Sequence, residues 1–478
     1  MNRFKNRLWL TLSILMVASL LAACGAPAAT ATQPPEPSEP EPTPTPETVF
    51  VEITSTPGPA EPGQVKYNPD VSGDIEIWHF WASPVRRNGL QRIIAICKQQ
   101  LPNINVTDTV KPFGDIWTAN VAAVAAGSGM PDVIVSDRPT LPKDAADGVY
   151  MSLQEFADRD GITRDQFYDW AWDQSLFEGE TYGIPFETDV RVLFWNKQLF
   201  EEAGLDPNKP PTTWEELMQY ADALDKKNAD GTYDRIAFFP LWNAGFNPFW
   251  AYLNGAPLID AEGNPVINSP EAVEAAEWIK QWVDRYGGWQ ALQDYRAQFG
   301  APPNDLFMGN GVAMFTDIFG YNSQLEFYRP RADADGDLQV TDQDPRMEWG
   351  IAPLPNNAGP ANWSGGFSLS IPTGAENPEA AWEFIKCMSG PEGQASWARD
   401  TQAQPTNLIA AKDPVLLANP NWAVVDEALQ TSTGGVFVPA YPNWNEQLDL
   451  VLEQVWTGEL TPQEALDQAQ AGVEAAIP

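Results

Sequence analysis

The 478-residue sequence has a single histidine, His79, and only three cysteines. One imidazole all but removes multi-histidine zinc sites and Ser-His-Asp chemistry from consideration. Positive charge is also scarce: 28 Lys and Arg face 65 Asp and Glu, a formal net charge of −37. A surface this acidic repels phosphate backbones and anionic headgroups, so nucleic acid is not an expected partner. Long apolar runs are missing apart from one at the N-terminus, and no repeat of solenoid period is present.

In that N-terminal run, Arg3, Lys5 and Arg7 precede an apolar stretch from Leu8 to Leu21, and Leu21-Ala22-Ala23-Cys24 closes it. The run is too short and too abruptly ended for a comfortable spanning helix. The tetrad resembles the lipobox of a bacterial lipoprotein signal peptide; an ordinary secretory signal or a signal anchor is the alternative. The resemblance implies removal of residues 1–23, lipidation of Cys24, and an extracytoplasmic protein tethered to the cell membrane by more than one acyl chain. The remaining 455 residues carry a formal charge of −40 and suit two lobes of ordinary size.

Residues 24–72 differ sharply in composition. Twelve prolines fall between Gly25 and Asp70, among many Glu and Thr and with almost no core-forming apolar residues. Such a segment cannot bury enough surface to offset its ordering entropy. Proline biases it towards polyproline II, so it reads as a stalk with a reach on the order of 100 Å.

From Gly73 onward, short apolar strands alternate with amphipathic helices, the pattern of an α/β fold with mostly parallel sheets. Strands are expected at Ile75–Phe80, near Val106, at Asp132–Ser136, Val190–Trp195, Ile236–Phe239, Val312–Thr316, Trp349–Ala352 and Phe367–Ile371. Ser83, Ser269, Asn377 and Thr461 each precede a proline and mark helix starts. Ser152/Glu155, Thr213/Glu216 and Thr461/Glu464 have the capping-box spacing. Trp214, Trp278, Trp282 and Trp382 fall on apolar helix faces and are expected in the core. Cys97 and Cys387 are expected as buried thiols, although an exported compartment also permits a disulfide.

Four segments in fixed order carry a family resemblance. They are YGIPFETDVRVLFWNKQLFEEAGLD at Tyr182–Asp206 with the PTTWEELMQYADAL that follows, GNGVAMFTDIFGY at Gly309–Tyr321, WSGGFSLSIPTGAENPEAAWEFIKCMSGPEGQ at Trp363–Gln394, and the final helix pair from Trp444 to Ile477. Together they resemble the bacterial extracellular solute-binding proteins typified by maltose-binding protein, the receptors of ABC importers. The resemblance implies a two-lobed, type II periplasmic-binding-protein fold, each lobe a mostly parallel sheet flanked by helices, with a multi-segment hinge. Crossings would lie near Glu187–Asp189, Ala352–Pro355 and Gln404–Asn407. One lobe would take about 73–186 and 354–404, the other about 190–352 and 408–478. A monomer, an ABC permease as partner, and no cofactor, metal or catalysis are implied.

The ligand class follows from side-chain chemistry. Nineteen tryptophans would remain after processing, and flat rings beside carboxylates suit a pyranose, whose C–H face stacks while its hydroxyls donate to acids. The expected sugar contacts are Trp81 after the first strand, Asp137 and Arg138 after the third, and Glu187, Asp189 and Arg191 in FETDVR. On the second lobe they are Trp242, Asn247, Asp317, Phe319 and Tyr321, positions given by the resemblance; Trp363, before the Gly365-Gly366 turn, and Trp444, at the start of the late helix, are the remaining candidates. The insert Asp333–Asp344 matches three early ligands of an EF-hand loop, but Leu338 stands where glycine is needed; an acidic surface loop is the default and calcium the alternative. Two other functions stay open: a receptor for a polyamine, organic phosphate or peptide, and a secreted glycoside hydrolase using paired carboxylates.

Overall fold

The computed structural model describes residues 65–260, 264–333, 341–435 and 444–476. The expected lipidation site Cys24, the expected signal segment, most of the expected stalk and the middle of the Asp-rich insert lie outside these residues. No helix among the described residues is long and apolar enough to cross a membrane.

Fifteen strands are named here in chain order. They are β1 (Gly73–His79), β2 (Ile104–Val110), β3 (Val133–Asp137), β4 (Leu176–Phe177), β5 (Glu180–Thr181), β6 (Ile184–Thr188), β7 (Arg191–Asn196), β8 (Lys226–Lys227) and β9 (Tyr233–Arg235). β10 (Met314–Ile318), β11 (Trp349–Ala352), β12 (Asn362–Trp363), β13 (Gly366–Ser370), β14 (Gln404–Pro405) and β15 (Ser432–Thr433) complete the set.

The first large sheet has the order β14-β6-β13-β3-β1-β2. β1 runs parallel to both β2 and β3, as expected for strands joined by helical crossovers. β13 lies antiparallel between β3 and β6, and β14 is antiparallel to β6. Four strands thus point one way and two return. The helix Pro84–Gln100 between β1 and β2 begins as the sequence suggests: Ser83 Oγ accepts from the Arg86 N–H, with Pro84 in the first turn. Its buried side carries Leu90, Ile93 and Cys97.

The second sheet, β10-β7-β11, departs from the mostly parallel expectation. Both neighbours of β7 are antiparallel to it. The cause is topological. β7 leaves the first sheet directly from β6, through Asp189 and Val190, and runs outward. β10 and β11 run back towards that crossing, so Ile318 pairs with Arg191 and Ala352 with Leu193. The segment expected as a strand at Ile236–Phe239 contributes one parallel bridge, Ile236 to Val312.

Each sheet has its own core. Ile75, Ile77, Val133, Val135, Ile184 and Phe186 pack with Trp382 and Trp397 around the first. Val192, Phe194, Phe238, Trp214, Trp250, Trp278 and Trp282 pack around the second. The four helix-face tryptophans are buried as expected, Trp214 stacking on Trp278 at 4.1 Å. Leu354 and Trp363 belong to the second core.

Cys97 and Cys387 correct the expectation of free thiols: they form a disulfide, with Cα atoms 5.8 Å apart. It ties the helix Pro84–Gln100 to the helix Pro378–Ser389 across 290 residues of sequence. Two apolar-looking helix positions gave no sign of facing each other, because that contact depends on how both helices cross the same sheet.

Candidate functional site

The first sheet presents a ring of aromatic side chains at one edge. Because β1 and β2 are parallel, the residues that follow them emerge side by side. Phe80 follows β1, Phe113 lies in the turn after β2, and Trp117 sits in the first turn of the helix Asp115–Ala126. β13 runs the other way and therefore begins at this edge, bringing Phe367 opposite Asp137. Phe80 meets Phe367 at 4.7 Å and Phe113 at 5.1 Å between ring centres. Trp117 lies nearly parallel to Phe367, at 14° and 6.3 Å, and its indole N–H is held by the Val135 carbonyl at 3.0 Å. Phe113 is 66% exposed, so an apolar ring faces solvent on an ordered aromatic support.

A bulge shapes this edge. The register between β13 and β6 shifts between Phe367 and Ser368, which re-aims the side chain at the bulge. The preceding Gly366 has φ +117°, and a Cβ there would come within 2.4 Å of the Glu187 carbonyl. Only glycine allows this close passage.

Three acids stand nearby. Asp137 ends β3, Asp189 lies in the β6–β7 crossing, and Asp317 is near the end of β10. Burial pushes the Asp137 carboxyl up to about 7, with the neighbouring Asp189 charge adding to the rise and Arg138 opposing it. Burial likewise pushes Asp317 up to about 7, despite a 2.7 Å hydrogen bond from the Ile318 N–H. Near neutral pH each of these two carboxyls is therefore poised between accepting and donating a hydrogen bond. Arg191 holds the crossing: its guanidinium donates to Asp189 at 2.6 Å, to the Trp363 carbonyl at 2.6 Å and to the Ala244 carbonyl at 3.2 Å. A narrow cleft lined by Arg86, Asp189, Ile318, Phe367 and Gln404 brings residues of both sheets together. Among the described residues, no group of three or more His, Cys, Asp or Glu is arranged to hold a metal ion.

Other expected contact residues are turned into the protein. Trp81, expected as a sugar contact after the first strand, is 1% exposed and packs on Trp397 at 4.4 Å, so its ring has no open face. Its indole and that of Trp397 donate to opposite oxygens of Glu187, at 3.3 and 2.6 Å, so Glu187 is also consumed internally. Arg138 is fully buried and donates to the backbone carbonyls of Glu187, Phe367 and Gly365, which makes it a brace between strands. Trp242 lies parallel to Tyr295 at 6.0 Å. Phe319 packs edge-on to Trp422, and the Tyr321 hydroxyl donates to Asp305 at 2.8 Å. Trp363 packs edge-on to Phe246. Asn247 and Trp444 are buried beside a separate small cavity. For the aromatic residues among these, the physical reason is common: large rings on strand ends and helix faces remove more surface from water by packing in the core than by lining a wet groove.

Phe80, Phe113, Trp117 and Phe367 were missed. Phe80 and Phe113 carried a signal in the sequence, since they lie one and three residues past strands whose carboxyl ends would open on a cleft.

Comparison with known proteins gives a consistent answer. A family model described as bacterial extracellular solute-binding protein matches residues 92–424. A Brucella abortus protein, whose description goes no further than a binding protein, is 24% identical over 402 residues, covering 79% of this chain and 86% of that protein. The sn-glycerol-3-phosphate-binding periplasmic protein UgpB of Shigella dysenteriae is 27% identical over 314 residues, 61% of this chain and 66% of its own. Among solved structures, CpMnBP1 with mannotriose bound superimposes with a TM-score of 0.72 at 25% identity, covering 84% of this chain and 99% of that one. Maltose-bound T. maritima MalE3 has a TM-score of 0.67 at 21% identity, covering 84% and 100%.

Proposed function

The chain belongs to the bacterial extracellular solute-binding proteins, and on that premise we propose that it is a non-catalytic sugar receptor of an ABC importer. The observation that carries the sugar reading is the aromatic platform of exposed Phe113 on half-buried Phe80, Trp117 and Phe367 beside the acids Asp137, Asp189 and Asp317. A pyranose C–H face rests on the rings while its hydroxyls exchange hydrogen bonds with the carboxyls, of which Asp137 and Asp317 are close to half-protonated at neutral pH. Arg191 and the crossing it braces set the angle between the sheets, and closure over ligand is a shift towards the state that binds more tightly. The mannotriose and maltose complexes among the structural neighbours support the same ligand class.

The UgpB relatives raise a phosphorylated ligand as a second reading. Three acids at the cleft oppose a phosphate dianion, and the Arg191 guanidinium is already bonded to Asp189 and two carbonyls. In the same proposal, the strands of the first sheet within about 73–186 and 364–404 form one lobe. Residues about 190–352 and 408–478 form the other, with Leu354–Trp363 moved to it by their packing. Cys24 carries the lipid, the stalk holds a monomer away from the membrane, and the permease reads the closed form. Small-angle scattering tests closure: addition of a bound neutral sugar lowers the radius of gyration. Identical profiles with every sugar of a broad panel refute it.

A further inference from the structure

Resting on the closure proposed for the two sheets, and not on the identity of the sugar, we infer that Gln402 is a latch that holds the cleft shut. It sits at the edge of the narrow cleft, whose walls include Ala403 and Gln404 from the first sheet's side and Ile318 and Gly320 from the second's. The helix Tyr321–Tyr328, which follows β10, reaches the first sheet's helices at two points. Gln324 Nε2 donates to Ser83 Oγ at 3.1 Å, at the start of the helix Pro84–Gln100. Gln402, at the end of the helix Pro391–Thr401, makes the other contact.

The Gln402 contact is a closed ring of three hydrogen bonds. Asn322 and Glu326 stand one helical turn apart, and Asn322 Nδ2 donates to Glu326 Oε1 at 3.0 Å. The Gln402 amide fits between them: Oε1 accepts from Asn322 Nδ2 at 2.6 Å, and Nε2 donates to Glu326 Oε2 at 2.6 Å. Asn322 is 1% exposed and its Oδ1 accepts from the Trp349 indole at 2.7 Å, so the fork is held by the second sheet's own residues. The Gln402 backbone is tied to the crossing instead. Its carbonyl accepts from Gln404 Nε2 at 2.6 Å, and Gln404 Oε1 accepts from the Val190 N–H at 3.0 Å. A swing of the sheets about the Asp189–Val190 crossing therefore acts directly on the residue that carries the latch.

The contact is built to release. Its bonds join polar side chains whose partners water can replace, so each is weak on balance and breaks without exposing a core. Gly320 packs at the same seam, where a Cβ would lie 3.7 Å from the Arg86 guanidinium and 3.8 Å from the Thr401 carbonyl, so the two walls touch here. Gln402 itself has φ +57°, a conformation for which a helix end ordinarily takes Gly or Asn. Glutamine is the poorer choice for ending the helix, and its side chain is what bridges the sheets.

The test is small-angle scattering of the sugar-free protein, wild type against Gln402→Gly, Gln402→Glu and the double variant Gln402→Glu with Glu326→Gln. Gln402→Gly suits the left-handed backbone, so it deletes the amide without costing the fold. Gln402→Glu sets a second carboxylate against Glu326. The double variant rebuilds the ring with its polarity exchanged, since the new carboxylate accepts from both Asn322 and the new amide. Both single variants should show a larger radius of gyration than wild type, and the double variant should return to the wild-type value. With a neutral sugar that binds, release from the single variants should be on the order of tenfold faster, and the double variant should again match wild type. The inference is overturned if the single variants scatter as wild type, if the double variant stays expanded, or if release stays within twofold. A wild-type protein silent towards every sugar defeats the sugar reading alone and leaves the scattering result to decide the latch.

Discussion

Replacing Phe113 by alanine separates ligand binding from folding more cleanly than any other change at the platform. The side chain is 66% exposed and touches its neighbours only edge-on, Phe80 at 5.1 Å, Trp117 at 5.0 Å and Phe367 at 6.4 Å. Loss of three such ring contacts costs about 0.5–1.5 kcal/mol each at most, and less at an exposed site. A sugar resting on the open face covers on the order of 60 Å² of ring, which at about 25 cal/mol per Å² is roughly 1.5 kcal/mol. That corresponds to about a tenfold rise in Kd. Calorimetry with a bound sugar, paired with thermal unfolding of the free protein, gives both quantities. A Kd unchanged within twofold refutes the platform. So does a fall in melting temperature large enough to explain weaker binding by unfolding.

Other consequences follow from the same geometry. Asp137 and Asp317 have carboxyls raised to about 7, so between about pH 4 and pH 7 the folded state binds more protons than the unfolded one. Each group then lowers stability by up to about 1.4 kcal/mol per pH unit as pH rises through that window; denaturant melts of Asp137→Asn and Asp317→Asn should show a shallower slope than wild type. Removing the disulfide with Cys97→Ser and Cys387→Ser together should destabilise the protein by about 2–5 kcal/mol while leaving sugar affinity of the folded fraction unchanged, since the bridge joins two helices away from the cleft. Gly366→Ala should cost more than its small size suggests, because the new methyl meets the Glu187 carbonyl and the Arg138 guanidinium; unfolding by urea and sugar affinity should both suffer. Glu187→Gln keeps an acceptor for only one of the Trp81 and Trp397 indoles, because an amide nitrogen replaces the other oxygen, and loses its charge beside Arg86, so stability should fall by about 1–3 kcal/mol with a smaller effect on binding.

Local signals in the sequence predicted local structure well. Thr461 and Glu464 form the full reciprocal box, each accepting from the other's backbone N–H, at 3.0 and 3.3 Å. Ser152 and Glu155 have the same spacing and do not: the helix starts at Gln154, and Ser152 bonds the Gln154 N–H instead. Asn377 precedes Pro378 as a cap should, yet its amide is drawn to Asp132 and the Asp74 carbonyl on the sheet. Tertiary partners decided both cases. The acids of the cleft were legible because strand ends and crossings are sequence positions. The stacking surface was not, because a count of tryptophans says how many rings exist and not which ones the cores absorb. Trp81, Trp242 and Trp363 went inside, and Phe113 took the exposed place on half-buried Phe80, Trp117 and Phe367.

Calorimetry of the purified protein against neutral mono- and oligosaccharides, with sn-glycerol 3-phosphate in the same panel, tests the central claim most directly. At least one neutral sugar should bind with a Kd in the micromolar range or tighter, with sn-glycerol 3-phosphate silent. A protein that binds sn-glycerol 3-phosphate and ignores every sugar would contradict the account.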